Sequence, residues 1–156
     1  MGQTGRLAQR FALITGGGGE IGSAIARRFA AEGAEVAIAD IVPAKAEATA
    51  RAIAEGGGRA CALQVHVADE TSAKAAVAGT MAAFGRLTTL VNVAAAVTPD
   101  GTVETLALEE WNRAIGVNLT GAFLMCKYAV PQMRRAGGGC RCSWTPWRGR
   151  RRRSRR

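Results

Sequence analysis

One histidine, one tyrosine and a lysine set limited to Lys45, Lys74 and Lys127 leave this 156-residue chain few groups for side-chain chemistry. The thiols of Cys140 and Cys142 have only the distant His66 as a nitrogen ligand. They make no four-ligand metal set, and no metal is expected. No apolar run approaches the roughly 20 residues a membrane-spanning helix needs, so no membrane partner is expected. Met1 to Arg10 contains no apolar core of a secretory leader. The four cysteines are therefore read as reduced thiols of a cytoplasmic protein. Acidic residues are missing from positions 141–156, which hold eight arginines, while residues 1–140 carry 13 basic against 12 acidic side chains. Eight of the nine net positive charges thus reside in the end segment. Such a run attracts phosphate backbones without sequence preference, so no specific nucleic-acid partner is expected.

What is present is enough for one domain: 48% of the residues are hydrophobic. Phe11 to Thr15 reads as a strand, and Ile21, Ile25 and Phe29 recur at helical spacing. Glu35 to Asp40 is a second strand, which completes a βαβ unit. The pattern repeats with a helix from Pro43 to Glu55, a strand from Cys61 to Val67, a helix from Asp69 to Phe84 stopped by Gly85, and a strand from Leu87 to Ala96. Strands alternating with helices predict an α/β fold, a doubly wound parallel sheet with helices on both faces. Leu108 to Met133 reads as one long helix that Pro131 kinks near its end. After Gly139 the vocabulary turns to Arg, Cys, Trp and Pro. The domain is therefore drawn as 1–139, with 140–156 as a basic, disordered tail.

Thr15-Gly-Gly-Gly-Gly-Glu-Ile-Gly22 joins the first strand to the first helix. Glycines there permit a tight turn and let a diphosphate approach the free N–H groups of the helix N-terminus, while Gly22 lets the helix pack closely. Asp40 ends the second strand, where its carboxylate can accept hydrogen bonds from adenosine ribose hydroxyls and repel a 2′-phosphate. NAD is expected over NADP. The plainer alternative is that Asp40 caps the turn that follows it.

The glycine loop, Asp40-Ile41, Leu90-Val-Asn-Val-Ala-Ala95 and Trp111-Asn-Arg-Ala-Ile-Gly-Val-Asn-Leu-Thr-Gly121 resemble, in order and spacing, the short-chain dehydrogenase/reductase family. The resemblance covers residues 8–139 and implies a Rossmann-like, NAD(P)-dependent oxidoreductase that interconverts small-molecule alcohols and carbonyls as a homo-oligomer. It implies that Gly16, Gly18, Glu20, Ile21 and Gly22 form the cofactor loop, with Asp40 and Ile41 in the adenosine pocket. The resemblance further implies that Val67 borders the adenine, that Asn92, Ala94 and Ala95 line the cofactor, and that Asn118 matches the family's catalytic asparagine, which holds a water in the proton relay. Trp111 is read as a packing residue. Three positions depart from the family pattern. Glu20 replaces the middle glycine and is expected to weaken binding, His66 stands for an aspartate that contacts the adenine amine, and Val93 and Ala95 replace an asparagine and a glycine.

That family's chemistry also needs a serine and a tyrosine followed one helical turn later by a lysine. Tyr128 is the only tyrosine, and Gln132 stands four residues on, so no Tyr-x-x-x-Lys exists. Tyr128 is read as part of the long helix, outside the chemistry. The expectation is a sheet truncated after about four strands, in a chain cut short or frameshifted within an Ala-, Gly- and Arg-rich gene, with catalysis by this chain alone in doubt. The alternative from another class is a non-catalytic nucleotide-binding or basic-tailed interaction protein.

Overall fold

The computed structural model describes residues 5–97 and 102–137 in full and residues 141–144 as backbone. Strands β1 (Phe11–Thr15), β2 (Glu35–Asp40), β3 (Ala60–Gln64) and β4 (Thr89–Asn92) alternate with helices α1 (Glu20–Ala31), α2 (Pro43–Glu55) and α3 (Glu70–Phe84). All strand pairs are parallel, and the sheet order is β3-β2-β1-β4-β5, where β5 is Arg141–Trp144. This is the Rossmann-like, doubly wound α/β architecture.

Both sheet faces are buried, which is why the strands read as continuous apolar runs rather than alternating ones. Successive side chains point to opposite faces. Leu13, Ala37 and Leu90 pack with Ala73 and Val77 of α3 on one side. Their neighbours Ile14, Ile38 and Val91 pack with Ala26 of α1 and Ile53 of α2 on the other. The α3 signals work as expected: Asp69 accepts a hydrogen bond from Ser72 N at 2.6 Å, and Gly85 closes the helix at φ 71°.

The expected single helix over 108–133 is divided. Helix α4 (Leu108–Ile115) passes into a wide π-helical segment (Gly116–Gly121) and then α5 (Ala122–Arg135). The irregularity thus lies well before Pro131, and α5 continues through that proline to Arg135. Leu124, Met125, Ala129 and Met133 of α5 join the α3 side of the core. Trp111 does not pack there: it is 53% exposed, with Leu108, Leu119 and Phe123 also exposed. No helix among the described residues is long and apolar enough to cross a bilayer.

The boundary drawn at residue 139 is crossed by the sheet. Composition assigns Arg141–Trp144 to the tail, yet this backbone pairs with β4 from Thr89↔Arg141 to Asn92↔Trp144. An open strand edge offers unpaired N–H and C=O groups that recruit an extended segment whatever its side-chain periodicity. Residues 145–156, the rest of the expected tail, lie outside the described residues.

Candidate functional site

A cavity of about 550 Å³ runs across the carboxyl ends of β1 to β4. In open α/β sheets this is where the strand order reverses and where ligands bind. The β1–α1 loop forms its floor. Gly16 has φ +65°, and a Cβ there would stand 2.8 Å from Ala94 Cα. A Cβ on Gly22 would stand 2.1 Å from the Gly16 carbonyl oxygen, so the close approach expected of Gly22 is made to the loop, not to the sheet. Helix α1 starts at Glu20 with Gly19 as a cap that offers no side chain, and Ser23 N donates to Gly19 O at 2.8 Å. The N–H groups of the first helical turn, Glu20, Ile21 and Gly22, are the ones such a helix start offers to a ligand, since those of Gly17, Gly18 and Gly19 are bonded within the loop and to the end of β2. Thr15, buried at the end of β1, ties this floor to the opposite wall: its Oγ1 accepts from Val93 N at 3.2 Å and Ala94 N at 3.3 Å.

Asp40 is 7% exposed and lies on the cavity wall. Its Oδ2 accepts from Gly18 N at 2.9 Å and its Oδ1 from Val42 N at 3.0 Å. The turn-capping alternative therefore accounts for one of its two bonds. The other fastens the glycine loop, and each carboxylate oxygen keeps a further lone pair for a ligand.

Gly16, Glu20, Ile21, Gly22, Asp40 and Ile41 all border the cavity, as do Val67, Ala94 and Ala95. Three expected site residues do not. Gly18 acts through Asp40, and Asn92 is buried at the end of β4, its Nδ2 donating to Cys126 Sγ at 3.7 Å. Asn118 sits in the π-helical segment and clasps the loop after β4, accepting from Ala96 N at 2.8 Å and donating to Ala96 O at 2.9 Å. Sequence reasoning missed Arg113, which lines the cavity, donates to Val97 O at 3.0 Å and pairs with Glu110. Its place in the quoted Trp111–Gly121 run was the available signal, but the facing of α4 was not readable.

Tyr128 does not border this cavity. Its hydroxyl donates to Glu70 Oε1 at 2.7 Å, an oxygen that also takes Lys127 Nζ at 2.6 Å. The hydrogen bond to Glu70 holds the Tyr128 pKa above its ordinary value, the reverse of what a proton-relay tyrosine requires.

A Cβ on Gly16 or Gly22 would fill the floor of the cavity, so these residues fit the diphosphate of a dinucleotide. Glu20 adopts ordinary helical backbone geometry, so replacing a glycine there adds no backbone strain. Its effect is size and charge at the end of a helix that attracts anions. Glu20→Gln is expected to tighten NADH binding about two- to fivefold at low salt, the range for one charge at a helix terminus. The gain should shrink at 0.5 M salt. Calorimetric titration at both salt concentrations checks this, and equal affinities of the two proteins at low salt would refute it.

Residues 10–140 match the family described as short chain dehydrogenase. The chain is 42% identical over 134 residues to 2,5-dichloro-2,5-cyclohexadiene-1,4-diol dehydrogenase of Sphingobium indicum, covering 86% of this chain and 53% of that protein. To D-threitol dehydrogenase of Mycolicibacterium smegmatis it is 39% identical over 134 residues, covering 86% and 51%. A short-chain type dehydrogenase/reductase from Mycobacterium ulcerans superposes with a TM-score of 0.80 at 30% identity, covering 85% of this chain and 49% of that one. The chain spans about half the length of the curated relatives it matches. With the glycine loop, the strand-end aspartate and the sheet order all agreeing with that match, the chain belongs to the short-chain dehydrogenase/reductase family of oxidoreductases.

Proposed function

We propose that this chain is the cofactor-binding part of an NAD-dependent dehydrogenase that moves a hydride between nicotinamide and a small secondary alcohol or ketone. The observation that carries the NAD reading is Asp40, a carboxylate on the cavity wall at the end of β2. Among the described residues the one arginine that borders the cavity is Arg113, beside the loop after β4. Among the described residues no other guanidinium borders the cavity to receive a 2′-phosphate. Bound nicotinamide would supply or accept the hydride. Gly16, Gly22 and the start of α1 would seat the diphosphate, and Asp40 and Ile41 the adenosine. Val67 would border the base, and Ala94 and Ala95 would line the cofactor, with Asn92 at the end of β4 behind them. Asn118, which holds the Ala96 loop, would keep its place in the proton relay of the whole protein. A serine and a Tyr-x-x-x-Lys from sequence outside this chain would complete that relay. The relatives named for a cyclic diol and for threitol support a small hydroxylated substrate. Exposed Trp111, Leu119 and Phe123 support a homo-oligomer, and the free thiols of Cys61 and Cys126 a cytoplasmic setting.

The test is calorimetric titration of the chain with NADH and NADPH. A 2′-phosphate brought near the Asp40 carboxylate should weaken NADPH by about tenfold or more, since like charges a few ångströms apart in partly wet protein repel by over 1 kcal/mol. Equal affinities would sink the NAD assignment.

A further inference from the structure

We infer that Arg113 is a positioning residue for the cavity wall that follows β4. Its guanidinium, itself oriented by Glu110, fixes the outer end of that wall, so that the part of a dinucleotide beyond the diphosphate meets a set surface. The inference rests on the dinucleotide reading above and goes beyond it. A chain that leaves a sheet loses the ladder that satisfied its backbone, and each freed N–H and C=O must find another partner. Strand β4 leaves after Asn92, the last residue paired with β1 on one side and β5 on the other.

From there side chains take over from the ladder at three places. Thr15 Oγ1 accepts from Val93 N and Ala94 N. Asn118 holds both backbone groups of Ala96. Arg113 Nη2 donates to Val97 O at 3.0 Å and so closes the outer end, where the Val97 side chain is exposed. The guanidinium is held in turn. Glu110 Oε2, one helical turn earlier, accepts from Nε at 3.1 Å and from Nη2 at 2.5 Å, a two-point contact that sets the plane of the group. Nη2 thus bridges a carboxylate and the loop. Ala94, Ala95, Ala96 and Arg113 border the cavity on the β4 side, whereas Asp40 and Ile41 border it on the β2 side, with the glycine loop between them. Loosening the β4 side therefore touches one half of an extended ligand and spares the other.

The experiment titrates the full chain, Arg113→Ala and Arg113→Lys by calorimetry with NADH and with ADP, which carries the adenosine and diphosphate alone. Amide hydrogen exchange at Ala96, whose N–H donates to Asn118, is followed by NMR without ligand. Arg113→Ala should weaken NADH by about three- to tenfold, the range for losing one hydrogen bond from a charged donor at a partly exposed site. ADP should stay within about twofold, and exchange at Ala96 should quicken by about three- to tenfold as the loop opens locally. Arg113→Lys keeps a charged donor for Val97 O without the planar fork, so it should bring NADH back to within about threefold of the unaltered chain. An equal loss of NADH and ADP in Arg113→Ala would mark general damage and overturn the inference. So would unchanged NADH binding, unchanged exchange at Ala96, or a lysine variant as impaired as the alanine one. If the unaltered chain binds neither ligand, the cofactor reading itself falls and takes this inference with it. If both bind, that reading stands and the variants alone decide.

Discussion

Gly22→Ala is expected to lower NADH affinity by about tenfold to a hundredfold, the worth of one hydrogen bond to the charged diphosphate lost when a binding group is misplaced by about 1 Å. The new Cβ would lie 2.1 Å from the Gly16 carbonyl oxygen and 2.8 Å from Gly17 Cα, so either the loop or the start of α1 must move by about that much. Movement of the loop also disturbs Gly16, whose positive φ and contact with Ala94 hold the floor against the β4 side. Overpacking of this kind costs about 1–3 kcal/mol, so the melting temperature should fall by several degrees as well. Gly56→Ala, at the end of α2 and away from the cavity lining, is the control. A Cβ there meets only the Ile53 and Ala52 carbonyl oxygens at 3.5 and 3.7 Å, and binding should stay within a few-fold of the starting value. Calorimetric titration and a thermal melt of both variants check the pair. Near-normal NADH binding by Gly22→Ala would show that the diphosphate is not seated on this loop.

Asp40→Ala is expected to act twice. It strips the acceptor from Gly18 N and Val42 N, which loosens the glycine loop and costs about 1–3 kcal/mol of stability, the usual penalty for orphaning partly buried donors. It also removes the charge that opposes a 2′-phosphate, so the gap between NADH and NADPH should close to within a few-fold while NADH itself binds about tenfold or more weakly. Asp40→Asn separates the two effects. Its amide oxygen can keep one of the two backbone bonds, so the melt should recover, whereas the coenzyme preference should not. A full NADH preference retained in Asp40→Ala would place the adenosine ribose elsewhere.

Much of the frame was legible because its punctuation is local. Pro43 starts α2, Asp69 and Gly85 bracket α3, and β1 and β2 keep the bounds that their apolar runs predict. Strands β3 and β4 were read too long for a non-local reason. The β3 ladder stops at Gln64 because its partner β2 stops at Asp40. Val65 and Val67 remain buried, but as cavity wall. Likewise β4 spans only Thr89–Asn92, opposite Ala12–Thr15. Apolar character marks burial, whereas strand length is set by the partner. In the site, the glycine loop and Asp40 could be found because their spacing lies within one βαβ unit. The Asn118 clasp on Ala96 and the Arg113 contact with Val97 could not, since each depends on how a helix faces a loop 16 or 22 residues upstream.

The widened turn from Gly116 to Gly121 has a bearing on how this helix should be drawn. Each residue of an α-helix advances the helical wheel by about 100°, so a segment wound more loosely slips the phase of everything after it. Leu108 and Trp111 ahead of the slip face solvent, while Leu124, Met125 and Ala129 behind it face the sheet. A single wheel drawn across 108–135 would superimpose these two sets out of register and blur both stripes. Two wheels, with the origin reset at Ala122, recover them, and the reset falls just after the turn in which Asn118 takes hold of the loop beneath.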